Sequence, residues 1–300
     1  MLGRDRNVTG STGHTAVGFA EFFKKKIDDI RSSTANLPAS QVGSRATSTL
    51  ASFQPFTEAE IRRIITKSPP KSSSLDPVPT FLLLEFIDLL LPFVTRLVNT
   101  SLLAGRLLVS QRHVTVTPLL KKSGLDAANM ANYRPVSNLS FMSKVVERTV
   151  AIQLYEYLVT HHLLPRYQSA YRKNHSTETA FLRVWCDVLM AADRRQVTLL
   201  CLLDLSSAFD CVDHDFLLQR LRQGFGLTDA VLEWIRTFLS DRTQQIAYNG
   251  QLAATQPLPF GVPRGFVLGP LLYVLYTAEL GQSWPINTVL VSISTPTTVK

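Results

Sequence analysis

"VTLLCLLDLSSAFDCVDH", residues 197–214, is the stretch that decides the fold. Its first part is a nearly continuous apolar run without alternation. That is the pattern of a strand buried on both faces, because neither face has to meet water. The run ends on Asp204, where a carboxylate is costly unless something offsets its charge. A divalent cation would offset it, since hard cations prefer oxygen ligands. A strand-end carboxylate capping the next turn fits this single feature as well.

Working outward, helical periodicity follows at about 214–223 and 228–239. "TQQIAYNGQLAATQ" reads as a β-hairpin centred on Asn249-Gly250, "GVPRG" as a loop, and "FVLGPLLYVLYTAEL" as a helix. Upstream, "STETAFLRVWCDVLMAAD" carries Phe181, Val184, Trp185, Val188 and Leu189 as one helical stripe. Met142, Val145, Val146, Val150, Leu154 and Leu158 mark another. "MANYRPVSNLS" reads as a turn-rich loop, "HVTVTPLL" as a strand, and residues 80–104 as a helix kinked at Pro92. "PPKSSSLDPVP" is a loop, preceded by a helix with Thr57 as N-cap and Glu60 in the capping-box position. Near the start, "FAEFFKKKIDDIRSS" has helical spacing, while residues 1 to about 18 are polar and lack a pattern. The sum is an α+β fold, a small sheet backed by helices.

The 300 residues carry a formal net charge of +8, which points to a polyanionic partner, nucleic acid before membrane surface. Cys186, Cys201 and Cys211 show no paired spacing and read as buried packing residues in a reducing compartment. "MLGRDRNVTG" lacks the apolar core of a secretory signal. The most apolar stretch, around residues 81–98, is interrupted by Glu85, Asp88, Pro92 and Arg96, so it reads as buried helix and not as a membrane span.

"LLDLSSAFDCVDH" also resembles motif A of reverse transcriptases of the non-LTR, LINE-type retrotransposon family. "VTPLLKK" (116–122), "NYRPVSNLSFMSKVVER" (132–148), "QSAYRKNHSTETA" (168–180), "FLSDRTQ" (238–244) and "GVPRGFVLGPLLY" (261–273) resemble further motifs of that family, in its order. The resemblance covers roughly residues 55–282. It implies a right-hand polymerase fold with fingers and palm, the thumb absent and the palm sheet incomplete. Residues 1–54 are then a disordered or helical linker region, and 283–300 a separate tail. The resemblance implies Asp204 as catalytic metal ligand for Mg2+ or Mn2+. Two such ions, about 3.5–4 Å apart, clamp the attacking and leaving oxygens in nucleotidyl transfer. It implies nucleotide contacts from Ala208, Phe209, Arg134, Arg264 and Gly265, with the Phe209 ring lying under the incoming sugar. Lys121, Lys122, Arg172 and Lys173 are implied to hold triphosphate or nucleic-acid phosphate, a solvated basic face being the plainer alternative. Asp210 and His214 take structural positions. The implied partners are an RNA template, a DNA primer and a deoxynucleoside triphosphate, with no membrane, in the cytoplasm or nucleus.

The chain departs from the family pattern in two places. Arg264 stands where the family carries Gln, and Phe266 where it carries Ser. After Asp241 the only acidic residue is Glu279, whereas the family places a Tyr-Ala-Asp-Asp turn near residues 294–298. One coding of Tyr-Ala-Asp-Asp-Cys-Gln, read one base later, gives Thr-Pro-Thr-Thr-Val-Lys, the residues at 295–300. The expectation is therefore a frameshift or misplaced splice between about Gln282 and Val291, and an RNA-directed DNA polymerase domain without polymerase activity. A non-catalytic RNA- or DNA-binding remnant is the alternative.

Overall fold

The computed structural model describes residues 13–35, 45–165, 167–200, 203–204, 207–262, 265, 267–281 and 291–292. The tail at 293–300 and the expected frameshift segment up to 290 lie outside the described residues. Helix α1 (Ala16–Thr34) starts where the Thr15 side chain accepts the Gly18 N–H. Helix α2 (Glu58–Thr66) carries the expected capping box between Thr57 and Glu60. Helices α3 (Thr80–Glu85) and α4 (Ile87–Leu103) are followed by strands β1 (His113–Leu120) and β2 (Tyr133–Asn138). Then come α5 (Phe141–Thr160), α6 (Thr177–Asp193), β3 (Leu203–Asp204), α7 (His214–Phe225) and α8 (Asp229–Leu239). Strands β4 (Thr243–Tyr248), β5 (Gln251–Leu252) and β6 (Gln256–Pro257), helix α9 (Gly269–Tyr276) and strand β7 (Val291–Ser292) complete the described elements.

The main sheet has the order β2-β1-β4-β5, with β6 also paired to β4. β1 and β2 are antiparallel, with Leu119 opposite Arg134, whereas β1 and β4 are parallel, with His113 opposite Thr243. β4 turns into β5 through Asn249 and Gly250, both at positive φ (48° and 75°), as a two-residue hairpin requires. Helix α5 supplies the spine of the core. Val145, Val146, Val150, Leu154 and Leu158 are fully buried on it. Trp234 of α8 stacks on Phe238 at 5.5 Å and donates its indole N–H to Ser101 of α4 at 3.0 Å, so the aromatic ring enters the core without stranding its polar atom.

Several sequence expectations change. "YRPVSN" forms β2 and is not a loop, because pairing with β1 satisfies its backbone groups despite Pro135. The break in the 80–104 helix falls at Phe86 (φ −101°, ψ 29°), and Pro92 lies inside α4. The N-terminal region contributes more than a linker. Phe19 of α1 is fully buried and packs edge-on against Tyr133 and Tyr248, at 4.8 and 4.7 Å.

The apolar run at 197–203 is not a fully buried strand along its length. Residues 196–200 take no regular structure, and Val197 and Leu199 are 98% and 89% exposed. Among the described residues of the run, Leu203 and Asp204 pair, in parallel with Val291 and Ser292. Such a run becomes a buried strand only where neighbours cover both faces. Helix α6 forms as expected, yet none of its residues is buried, and Phe181 and Trp185 stack on each other at 6.3 Å while staying exposed. Cys186 is exposed on it and Cys211 is half-buried, so neither is the buried packing residue expected. Cys201 lies outside the described residues.

Truncating a fully enclosed side chain of α5 leaves a cavity that the surrounding helices fill only in part. Leu154→Ala is expected to lower unfolding stability by about 2–5 kcal/mol. Denaturant unfolding of the two proteins side by side checks this.

Candidate functional site

Of the residues singled out in the sequence, Ala208, Phe209 and Gly265 fall where the loop after β3 meets the loop before α9. Backbone hydrogen bonds join the two loops. The Gly261 N–H donates to the Val212 carbonyl and the Val262 N–H to the Phe209 carbonyl, each at 2.8 Å. His214, at the start of α7, bonds through Nε2 to the Gly261 carbonyl, also at 2.8 Å. The approach is close enough to exclude side chains. A Cβ on Gly261 would sit 2.7 Å from the Asp210 carbonyl oxygen, and one on Gly265 would sit 2.6 Å from that of Ser137 in β2. Both glycines also hold positive φ, 85° and 106°, which only glycine adopts freely.

The second loop is anchored from below by Glu147. This carboxylate has no exposed surface. Its Oε2 accepts the N–H of Val267 at 2.8 Å and of Leu268 at 3.4 Å, and its Oε1 accepts the Ser143 hydroxyl at 3.3 Å. Burial pushes its pKa up, while the Arg242 charge and the two amides pull the other way. Arg242 is itself buried, and desolvation brings its pKa down to about 10 despite Glu147. Arg242 lies over the Phe238 ring at 4.5 Å and donates its Nε–H to the Phe238 carbonyl.

The sequence-predicted residues fall out as follows. Asp204 ends β3, and its side chain lies outside the described residues, as do Arg264 and Phe266 entirely. Ala208 and Phe209 sit in the first loop, where Phe209 is buried with its ring 4.6 Å from that of Tyr273. Arg134 is half-buried in β2. Lys121 follows β1 and donates to the Ala131 carbonyl at 2.7 Å, while Lys122 beside it is exposed. Arg172 and Lys173 belong to the turn-rich segment between α5 and α6, where Arg172 reaches the Pro165 carbonyl at 3.3 Å. A cavity of about 180 Å³ opens between α1, the sheet and both loops. Lys121 lines it, whereas Lys122, Arg172 and Lys173 do not.

Among the described residues, no group of three or more His, Cys, Asp or Glu side chains could hold a metal ion. Glu279, the one acidic residue after Asp241, forms an ion pair with Arg220. No helix among the described residues is long and apolar enough to cross a membrane.

Sequence reasoning missed Glu147 and Arg242. The signal was there: Glu147 falls on the face of α5 that carries Ser143, Val150 and Leu154, where a charged residue is out of place unless partnered. It also missed Arg31. This residue of α1 pairs with Asp213 at 3.1 Å and lies over the Phe260 ring at 3.4 Å, tying α1 to both loops.

The reverse transcriptase (RNA-dependent DNA polymerase) family matches residues 120–292. The chain is 29% identical to the probable RNA-directed DNA polymerase from transposon BS of Drosophila melanogaster, over 61% of the chain and 20% of that protein. It is 26% identical to the RNA-directed DNA polymerase from mobile element jockey of the same species, over 78% of the chain and 25% of that protein. The corresponding jockey protein of Drosophila funebris is 25% identical over 92% of the chain and 30% of its own length. The chain thus spans under a third of the length of these curated relatives.

Two outcomes follow from the buried groups. Glu147→Ala takes the acceptor from the Val267 and Leu268 amides and the charge that offsets Arg242, and is expected to cost about 3 kcal/mol, with Glu147→Gln costing less. Chemical denaturation of the three proteins measures the difference. His214 has its pKa lowered, chiefly by burial, with the Arg242 charge adding to this and the Gly261 bond and Asp213 opposing. A base whose folded pKa lies below its unfolded value of about 6.5 favours the folded state in its neutral form. Stability is then full above about pH 6.5 and declines as the pH falls through the lower folded value. Melting temperatures between about pH 7.5 and 5 are expected to fall more steeply for the native chain than for His214→Gln.

Proposed function

The chain belongs to the reverse transcriptase (RNA-dependent DNA polymerase) family, and on that premise we propose that it is the reverse transcriptase domain of a LINE-type mobile element that binds nucleic acid without extending it. In this reading β1 and β2 are fingers strands, and the loops after β3 and before α9 border the nucleotide site of the palm. The observation that carries it is the junction of those two loops, joined to each other by paired backbone hydrogen bonds, packed closely on β2 at Gly265 and set beside Lys121. Two loops and a strand closing on one cavity, lined by apolar side chains with a few charged ones, suits the positioning of a nucleotide against its template.

RNA-directed DNA synthesis is the activity named for the longer relatives. Its two-ion chemistry would draw on Asp204 and on further carboxylates. The residues after Asp241 offer only Glu279, which is committed to Arg220. Arg264 and Phe266, where the family pattern has an amide and a small hydroxyl, also weigh against templated addition. The net charge of +8 supports retained affinity for phosphate backbones.

Primer extension with Mg2+ or Mn2+, run beside RNA binding over a salt series, tests the reading. The expected result is no extension, and binding that weakens about tenfold or more between about 50 and 200 mM salt, as three or four phosphate contacts imply. Templated synthesis by this chain would overturn the non-catalytic assignment. Salt-independent or absent RNA binding would overturn the binding role.

A further inference from the structure

Helix α6 carries an apolar stripe that the described residues leave open. Phe181 and Trp185 are 63% and 51% exposed, and Leu182 and Leu189 beside them 57% and 48%. Ala180, Val184, Asp187 and Ala191 are half-buried and mark the side turned to the rest of the chain, so the centre of the stripe stands clear of it. Phe181 and Trp185 already stack on each other, nearly parallel at 12°, and so offer one flat anchor with little freedom left to lose. Soluble monomers seldom expose a contiguous apolar surface above a few hundred Å², and larger ones mark places where something docks.

The order of residues along the stripe selects the occupant. Glu178, Phe181, Trp185, Val188, Ala192 and Arg195 recur at alternating steps of three and four residues, the spacing of a seam between two paired helices. Read backwards, these positions complement themselves. An antiparallel second copy sets Trp185 against Val188, Phe181 against Ala192 and Glu178 against Arg195, each contact made twice about a two-fold axis. Each ring then faces a smaller side chain, the large-against-small alternation that lets facing helices close up. Each end of the seam joins a carboxylate to a guanidinium, and Glu178, Ala192 and Arg195 are all exposed. Glu178 lies in the first turn of α6 and Arg195 just past its C-cap Arg194, so each charge also suits the dipole at its own helix end. A parallel copy would set Glu178 on Glu178 and Arg195 on Arg195, which repels. The Arg183–Asp187 ion pair lies off the seam and is left intact. With 17 residues the helix is about 25 Å long. Two copies then bury an area near the low end for a specific interface, roughly 1,000 Å², so the pairing is reversible.

We propose that α6 is a self-association surface, on which two copies of this chain pair antiparallel through the Phe181–Trp185 stripe and the Glu178–Arg195 ion pairs. The pairing does not depend on the polymerase reading, because it uses no residue assigned to the nucleotide or to nucleic acid.

Sedimentation equilibrium of the whole chain, between about 1 and 100 µM, tests it. The expected result is a monomer–dimer equilibrium with a dissociation constant of roughly micromolar order and no larger species. Trp185→Glu is expected to leave the chain monomeric over the whole range. Glu178→Arg and Arg195→Glu are each expected to weaken pairing several-fold, and the double variant to recover it to within about twofold, since the ion pair is then reversed and not removed. Phe93→Glu, at a 69% exposed position of α4, is expected to change nothing. Circular dichroism melting establishes that each variant is folded. A native chain that stays monomeric gives the stripe to another occupant and overturns the proposal. A dimer that survives Trp185→Glu, or a double charge swap that fails to recover pairing, overturns it as well. Open-ended association reduced equally by Phe93→Glu and Trp185→Glu overturns it in favour of unspecific apolar contact.

Discussion

Glu147 is a carboxylate with no contact with water, and what surrounds it has to make up for that. Removing such a group from water costs several kcal/mol, so it stands only where donors and an opposite charge are fixed around it. The donors come from the start of α9 and from Ser143 on the preceding turn of α5, and the charge from Arg242 at the entrance to β4. Three segments far apart in the chain are therefore located by one side chain. The loop before α9 takes its position from this anchor, and through Gly261 and Gly265 it sets where the loop after β3 and strand β2 lie.

Much of this was readable in the sequence, for reasons that differ by element. The capping box at Thr57, the apolar face of α5 and the Asn-Gly hairpin follow local rules, and local rules survive in the fold. β2 was misread because its proline and turn residues outweighed pairing that only a distant partner provides. The run at 197–203 was misread in the opposite sense. Its composition promises burial, but burial depends on neighbours that the described residues do not supply. α6 teaches the same lesson, since its stripe is present and uncovered. Motif spacing singled out Phe209, Lys121 and the stretch from Gly261 to Gly265 as candidates. It could not show that α1 reaches them, because nothing in a helical pattern says which surface it will meet.

Family membership rests on a match beginning at Leu120, the last residue of β1. The packed unit begins far earlier. Phe19 closes against Tyr133 and Tyr248, Phe53 lies edge-on to Trp234, and Asn99 of α4 holds the backbone of Phe56 from both sides. The segments upstream of the match are thus structural parts of the same body, in keeping with the jockey relative of Drosophila funebris that matches 92% of the chain.

The parallel pairing of β1 with β4 carries a consequence for how the chain is made. His113 cannot meet Thr243 until all of α5 to α8 has been synthesised. At about 5–20 residues per second, the nascent chain carries β1 with one open edge for on the order of ten seconds. An unpaired strand edge is a template for foreign pairing, so this interval is when a chaperone or a neighbouring nascent chain competes for it. Closing so long a loop also makes the sheet a late and slow step. What shields this one strand during translation then bears on the yield of folded protein.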